Sequence, residues 1–420
     1  MKKSEYQAYL QILHKELIPA MGCTEPIAIA LTAAYAKKYS VGKIKSVSIN
    51  VSGNIIKNVK SVTVPNTGGL KGINTAAAAG ILFGKPEREL EVLADIEPEK
   101  VSEIADFIKN TEFKITEAND ERVLDISVEI RADNLSSART VDKHTGLYTI
   151  SVDGQVIYKN EVEEDEALDY SVVSMEGILS FADCAAISDV RELLDRQIEY
   201  NTAIAEEGLS GKYGASIGIT LLKAYGDSVY NRAKAYAAAG SDARMSGCEK
   251  PVVINSGSGN QGMTASLPVI VYAKELGVSK ETLYRALLVS NLTTIHLKTG
   301  IGCLSAYCGA ISAGCGAGAG VMYLHGGGLK EISHTVVNAL AINSGVVCDG
   351  AKASCAAKIA SAVESGLLGM QMYMNGKEFY GGDGIVAKGV ENTIKNVGQL
   401  AQSGMAQTDK EIIKIMLDNN

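Results

Sequence analysis

An α+β fold, in which a small α+β unit inserted near the N-terminus packs on a larger all-α helical domain, is what this sequence predicts. Three observations carry that expectation. Strand-period alternation is confined to residues of about 43 to 165, and apolar spacing of three and four runs from Glu166 almost to the end. The chain also has 43 glycines against 5 phenylalanines and no tryptophan, so its helices must pack closely through small residues and aliphatics. With 420 residues at 46% hydrophobic there is ample material for a core, and disorder is excluded.

The elements follow in order. Residues 6–17 and 26–39 read as helices, the second with Thr24 as N-cap and Pro26 in its first turn, which leaves Cys23 at a helix N-terminus. Residues 1–42 are assigned with the helical domain. In the small unit, 43–165, the segments KSVSINVSG, VKSVTVP and VLDISVEIRA alternate as strands, and LYTISVDGQVIYKNEV sets Asp153-Gly154 between alternating apolar runs, a hairpin signature. Residues 75–83 and 98–109 read as helices, and EVEEDEA as an acidic, solvated connection. In 166–420, helices are expected over 188–201, 215–238, 267–275, 280–291 and 330–341.

Charge narrows the partners. The net charge of -8, from Lys+Arg 40 and Asp+Glu 48, and the absence of a basic run with interleaved aromatics argue against nucleic acid. The first residues, MKKSEYQAYLQILHKELIP, are amphipathic and interrupted by Glu5, His14, Lys15 and Glu16, unlike a signal peptide. The uncharged window 299–324 is long enough to span a bilayer, but seven of its residues are Gly, which makes it too weakly apolar for a membrane helix. A cytoplasmic chain with no membrane partner is expected, with homo-oligomer formation left open. In that compartment eight cysteines serve as reduced thiols for packing, metal binding or catalysis.

Five of the eight, Cys303, Cys308, Cys315, Cys348 and Cys355, lie within one Ala/Gly-rich stretch. The chain has no C-x-x-C, which disfavours structural zinc, whereas an iron-sulfur cluster accepts scattered thiolates. Cysteine as a small hydrophobe among Ala and Gly is the plain alternative. In GVVCDGAKASC the Asp349-Gly350 pair marks a turn, so Cys348 and Cys355 read as a loop position followed by a position on a helix that starts near Ala351.

Two further segments can carry chemistry. In MGCTEP, a thiol at a helix N-terminus is favoured as thiolate, making Cys23 a candidate base or nucleophile; a buried structural cysteine is the alternative. Glu25 can act as base or complement the helix dipole. In NSGSGNQG, residues Ser256, Gly257, Ser258, Gly259 and Asn260 form a candidate nest of backbone N–H groups for a carboxylate or phosphate, or an ordinary loop. Thr67 in PNTGG belongs to a weaker nest of the same kind. Arg244 can pair a substrate carboxylate or a protein one. His296, in TTIHLKTGIGC, lies just ahead of the cysteine-rich segment, and each of the five histidines, His144 included, reads more readily as structural than catalytic.

Taken together, MGCTEPIAIA, VSGNIIKN, PNTGGLKG, SDARMSGC, NSGSGNQG, LSAYCGA, CDGAKASC and FYGGDGIV resemble the L-cysteine desulfidase group of the iron-sulfur serine dehydratase alpha-chain superfamily, over nearly the whole chain. The resemblance implies a [4Fe-4S] cluster held by three cysteines in the helical domain. It also implies an amino-acid substrate, with elimination of L-cysteine to pyruvate, ammonia and sulfide. By motif it implies Cys308, Cys348 and Cys355 as cluster ligands, with Cys303 and Cys315 as alternatives to Cys308, and Cys23 as the group that takes the α-proton. Cys184 and Cys248 match no role. Three rivals stand beside this reading: L-serine dehydration on the same cluster, a pyridoxal-phosphate lyase using Ser258-Gly259-Asn260 with Lys250 as Schiff base, and a non-catalytic iron-sulfur sensor.

Overall fold

The computed structural model describes residues 1–118, 122, 124–160, 168–302 and 305–418, and its fold is α+β. The chain opens with α1 (Lys3–Glu16), β1 (Pro19–Met21) and α2 (Thr24–Lys38). A sheet region follows: β2 (Ser46–Val51), α3 (Gly53–Val59), α4 (Gly72–Phe83), α5 (Val101–Asn110), β3 (Glu112–Glu117), β4 (Asp125–Arg131), β5 (Leu135–Val141), β6 (Leu147–Val152) and β7 (Gln155–Lys159). The helical region holds α6 (Met175–Cys184), α7 (Ile187–Gly208), α8 (Ile217–Tyr225), α9 (Val229–Met245), β8 (Pro251–Val253), α10 (Gly259–Leu276), α11 (Lys280–Ile301), α12 (Ala310–Leu324), α13 (Leu329–Ile342), α14 (Cys355–Met374), α15 (Val390–Gln399) and α16 (Ala406–Asp418).

The sheet order is β3-β2-β4-β5-β6-β7, with β2 and β3 parallel and the other pairs antiparallel. The α3–α5 segment supplies the crossover that a parallel pair requires. Alternation sorts the faces: Val47, Ile49 and Val51 of β2 and Ile126, Val128 and Ile130 of β4 are fully buried. Helix α2 covers β4 and β5 and runs along α4. The residues expected to group with the helices, 1–42, thus part company: α1 packs on α7 and β1 pairs with β8, while α2 packs on the sheet. The expected Asp153-Gly154 turn closes β6 and β7 with both residues at positive φ, 50° and 81°. By contrast VKSVTVP is no strand. Only Thr63 makes an isolated bridge, to Lys71, because the chain turns at Pro65, which has no N–H for a ladder. The EVEEDEA connection lies outside the described residues.

Helix α12 is the centre of the helical region, packed by α10, α11, α13 and α14. It is most of the window that the sequence marks as uncharged, and its glycines explain why a bundle rather than a bilayer takes it. A Cβ on Gly314 would overlap the Ala362 carbonyl of α14, and one on Gly318 would come within 2.6 Å of the Gly366 carbonyl oxygen. Small residues thereby let two backbones touch. Among the described residues, no helix is long and apolar enough to cross a membrane. The helix expected over 215–238 is two, α8 and α9, broken at Gly226 (φ 80°) and restarted by Ser228, whose side chain caps α9.

Candidate active site

The antiparallel β1–β8 ribbon joins two motifs that are more than two hundred residues apart in sequence, since β1 runs into Cys23 and β8 runs into the glycine-rich turn. Their contact is direct: Thr24 Oγ1 donates to the Gly257 carbonyl at 3.1 Å. Arg244, buried on α9, donates from Nε to the Gly22 carbonyl at 2.9 Å. Cys23, not Thr24, is the N-cap of α2, and its thiol points to the Met245 sulfur at 3.9 Å.

The expectation that the helix N-terminus lowers the Cys23 pKa fails in the free protein. Its thiol is only 1% exposed, and burial pushes it up to about 12 against the opposing pull of Arg244. Desolvation of the thiolate outweighs the partial charge of the helix end. Glu25 lies in the first turn of α2, with its Oε2 3.1 Å from Thr24 Oγ1.

In the nest, Ser256 (φ 48°) and Gly257 (φ 78°) are successive left-handed residues, and Asn255 and Ser258 exchange backbone hydrogen bonds of 3.1 Å. Ser258 is the N-cap of α10, so the first amides of an 18-residue helix follow the turn. Gly259 is needed for a different reason from Gly257. A Cβ there would lie 2.5 Å from Arg244 Nε and 2.7 Å from Val252 Cγ2. Asn255 is fully buried and anchors the turn to Asn291 through its Nδ2. The weaker nest is a locked turn: Thr67 Oγ1 donates to the Val64 carbonyl at 2.7 Å, and Thr67 does not line the cavity described next.

Two of the three thiols implied by the resemblance, Cys308 and Cys348, are brought side by side by backbone pairing. Residues 306–308 and 346–348 run antiparallel, with Cys308 N donating to Val346 O (2.9 Å) and Cys348 N to Ala306 O (2.7 Å). Cys355 is the first residue of α14, four positions later than the expected helix start, and its thiol points to the Gly350 carbonyl at 3.7 Å. The neighbouring Cys308 thiol, with Lys57 and Lys358 beyond it, holds Cys348 well below the ordinary thiol range despite its burial. Cys308 is correspondingly pushed up, first by Cys348 and then by burial. Cys315 is buried inside α12 and does not line the cavity; Cys303 lies outside the described residues. Cys184 and Cys248 also stand away from it.

One cavity of about 950 Å³ collects these parts. Its lining includes Cys23, Glu25, Arg244, Ser256, Gly257, Ser258 and Asn260 together with Cys308, Cys348 and Cys355. Lys250 is exposed and absent from the lining, so the Schiff-base lysine considered from sequence is not at this site. His296 is likewise elsewhere, paired with Glu391 at 2.7 Å. Reading the sequence missed Lys57, His144, Gln261 and Tyr307, which all line the cavity. Lys57 and Tyr307 sit inside motifs noticed for other residues, whereas His144 gave no local signal.

The donor set fits an iron-sulfur cluster. Among the described residues, no three His, Cys, Asp or Glu side chains converge as a single metal ion would need, yet three thiols share one roomy cavity with a lysine beside Cys348.

This chain belongs to the serine dehydratase alpha chain family, whose pattern it matches over residues 87–414. That membership makes it a lyase of the dehydratase type. It is similar to a UPF0597 protein of Desulfitobacterium hafniense (strain Y51), 56% identical over 98% of this chain and 97% of that one. A UPF0597 protein of Lachnoclostridium phytofermentans is 50% identical over 98% of this chain and 100% of the relative, and one of Treponema denticola 43% identical over 99% of each.

Proposed function

We propose that this protein is an iron-sulfur-dependent L-cysteine desulfidase that needs no pyridoxal phosphate and converts L-cysteine to pyruvate, ammonia and hydrogen sulfide. The observation that carries the reading is the single cavity in which Cys23 and the glycine-rich nest face the same space as Cys308, Cys348 and Cys355. Those three cysteines would hold a [4Fe-4S] cluster, which when bound supplies an electrophilic iron for the departing sulfur. The nest amides and Arg244 bind the substrate carboxylate and orient Cα. Cys23 takes the α-proton as thiolate, having first given its own proton to solvent; Arg244 is the cation that favours that thiolate. Proton loss at Cα and departure of sulfide from Cβ leave an enamine, which tautomerises and adds water to give pyruvate and ammonia. Cys23 is buried, whereas the nest residues Ser256, Gly257, Ser258 and Asn260 are only partly covered and stay open to an entering substrate.

The family's description favours one second reading, L-serine dehydration, which differs by a single atom in the leaving group. Anaerobically purified enzyme assayed with both amino acids separates them. Equimolar pyruvate and sulfide from L-cysteine, with kcat/KM above that for L-serine, is expected. The reverse order of kcat/KM would assign the dehydratase, and turnover of neither would favour a sensor.

A further inference from the structure

Asn260 Oδ1, Gln261 Oε1 and His144 Nε2 are buried atoms of residues that line the cavity, and none of the three atoms has a hydrogen-bond partner among the described residues. Buried polar atoms are nearly always paired, so unpaired ones at a site call for an explanation. The two amide oxygens can only accept, and His144 Nε2 accepts in the neutral tautomer that carries its proton on Nδ1. Glu25, an acceptor as carboxylate, lines the same cavity. An amino-acid zwitterion offers one strong donor group, its α-ammonium, with three N–H bonds.

His144 is the most informative of the set because it arrives from the other region of the fold. The loop between β5 and β6 turns at Asp142 (φ 62°) and delivers the imidazole onto the nest, where its Cε1 lies 3.6 Å from the position a Cβ on Gly257 would take. Glu25 and Arg244 are its charged neighbours, and these same two groups act on Cys23. The imidazole therefore borders the place where the nest, the carboxylate and the proposed base meet.

We propose that His144 contacts the substrate, accepting a hydrogen bond from its α-ammonium while Glu25 and Asn260 accept from the remaining N–H bonds. The assignment rests on the reading of this chain as an amino-acid lyase. Burial holds the ring below the ordinary histidine range, in keeping with a neutral acceptor. With the carboxylate on the nest and Arg244, a fixed ammonium leaves Cα only one rotational setting toward Cys23. His144 is then what makes the site select amino acids over other thiol carboxylates.

Two probes isolate the ammonium. L-Alanine keeps the ammonium and carboxylate and has nothing to eliminate; 3-mercaptopropionate keeps the thiol and carboxylate and lacks the ammonium. Their Kd values would be measured by calorimetry on anaerobic, iron-replete wild-type and His144→Ala enzyme. L-Alanine should bind about tenfold or more weakly to the variant, the size of one lost charge-assisted hydrogen bond, with 3-mercaptopropionate changed less than about twofold. His144→Asn, which retains an acceptor oxygen, should recover part of the loss. Equal weakening of both probes would make His144 merely structural, and no change for L-alanine, or no binding of it to wild type, would overturn the assignment. Binding does not require turnover, so the choice of L-cysteine as substrate can fail while the ammonium contact stands.

Discussion

Gly259 sits where the N-terminus of α10 meets the buried Arg244, and any side chain there must displace a guanidinium fixed to the Gly22 carbonyl. Gly259→Val should therefore loosen both the nest and Arg244 while leaving Cys308, Cys348 and Cys355 untouched. The expected result is a KM for amino acid raised about tenfold or more, at unchanged iron content. Wild-type KM in a folded, iron-replete variant would reduce the nest to a turn. Such residues were legible in the sequence because their chemistry is local: Gly, Ser and Asn ahead of an apolar helix announce a nest, and Ser256 and Gly257 do adopt left-handed backbone. The state of Cys23 was not legible. A helix N-terminus can be read from neighbours in sequence, but the burial that dominates its pKa is contributed by Val62 and Met245, which no spacing rule connects to it.

At the scale of elements, the positions of the thiols depend on how closely α12 and α14 approach. Gly314→Ala places a methyl group against the Ala362 carbonyl, and the two helices must separate. Overpacking of this kind costs about 1–3 kcal/mol, and because α14 begins at Cys355 the displacement reaches a proposed ligand. Denaturant unfolding should show the lost stability and anaerobic iron analysis a lower occupancy; unchanged values of both would mean that the helices can part without moving the site. The bundle itself was legible from apolar spacing and from the glycine content. The 306–308 and 346–348 pairing was not, since an isolated bridge of this length has no periodic signature. β3 and β5 were hidden for another reason, since β3 is almost wholly exposed and β5 buries the small or polar Ser136, Ala138 and Thr140, while VKSVTVP does alternate but ends in a proline turn.

For the whole molecule, the sheet region is more than scaffold. It sends Lys57 from α3 and His144 from the β5–β6 loop into a cavity whose remaining lining comes mostly from the helical region and its loops. Lys57 is nearly fully buried and paired with Asp409 of α16, so the C-terminal helix also braces the site. Residues this far apart in sequence meet only through the tertiary fold, which is why motif reading found the cysteines and the nest but not their partners from the sheet. The central claim is that Cys308, Cys348 and Cys355 hold a cluster that Cys23 faces without binding it. Iron per chain, counted anaerobically in Cys308→Ala, Cys348→Ala, Cys355→Ala and Cys23→Ser, tests it most directly. The account predicts iron lost from the first three and retained in Cys23→Ser, which should release no sulfide. Full iron in the Cys348 or Cys355 variant, or iron lost from Cys23→Ser, would contradict it.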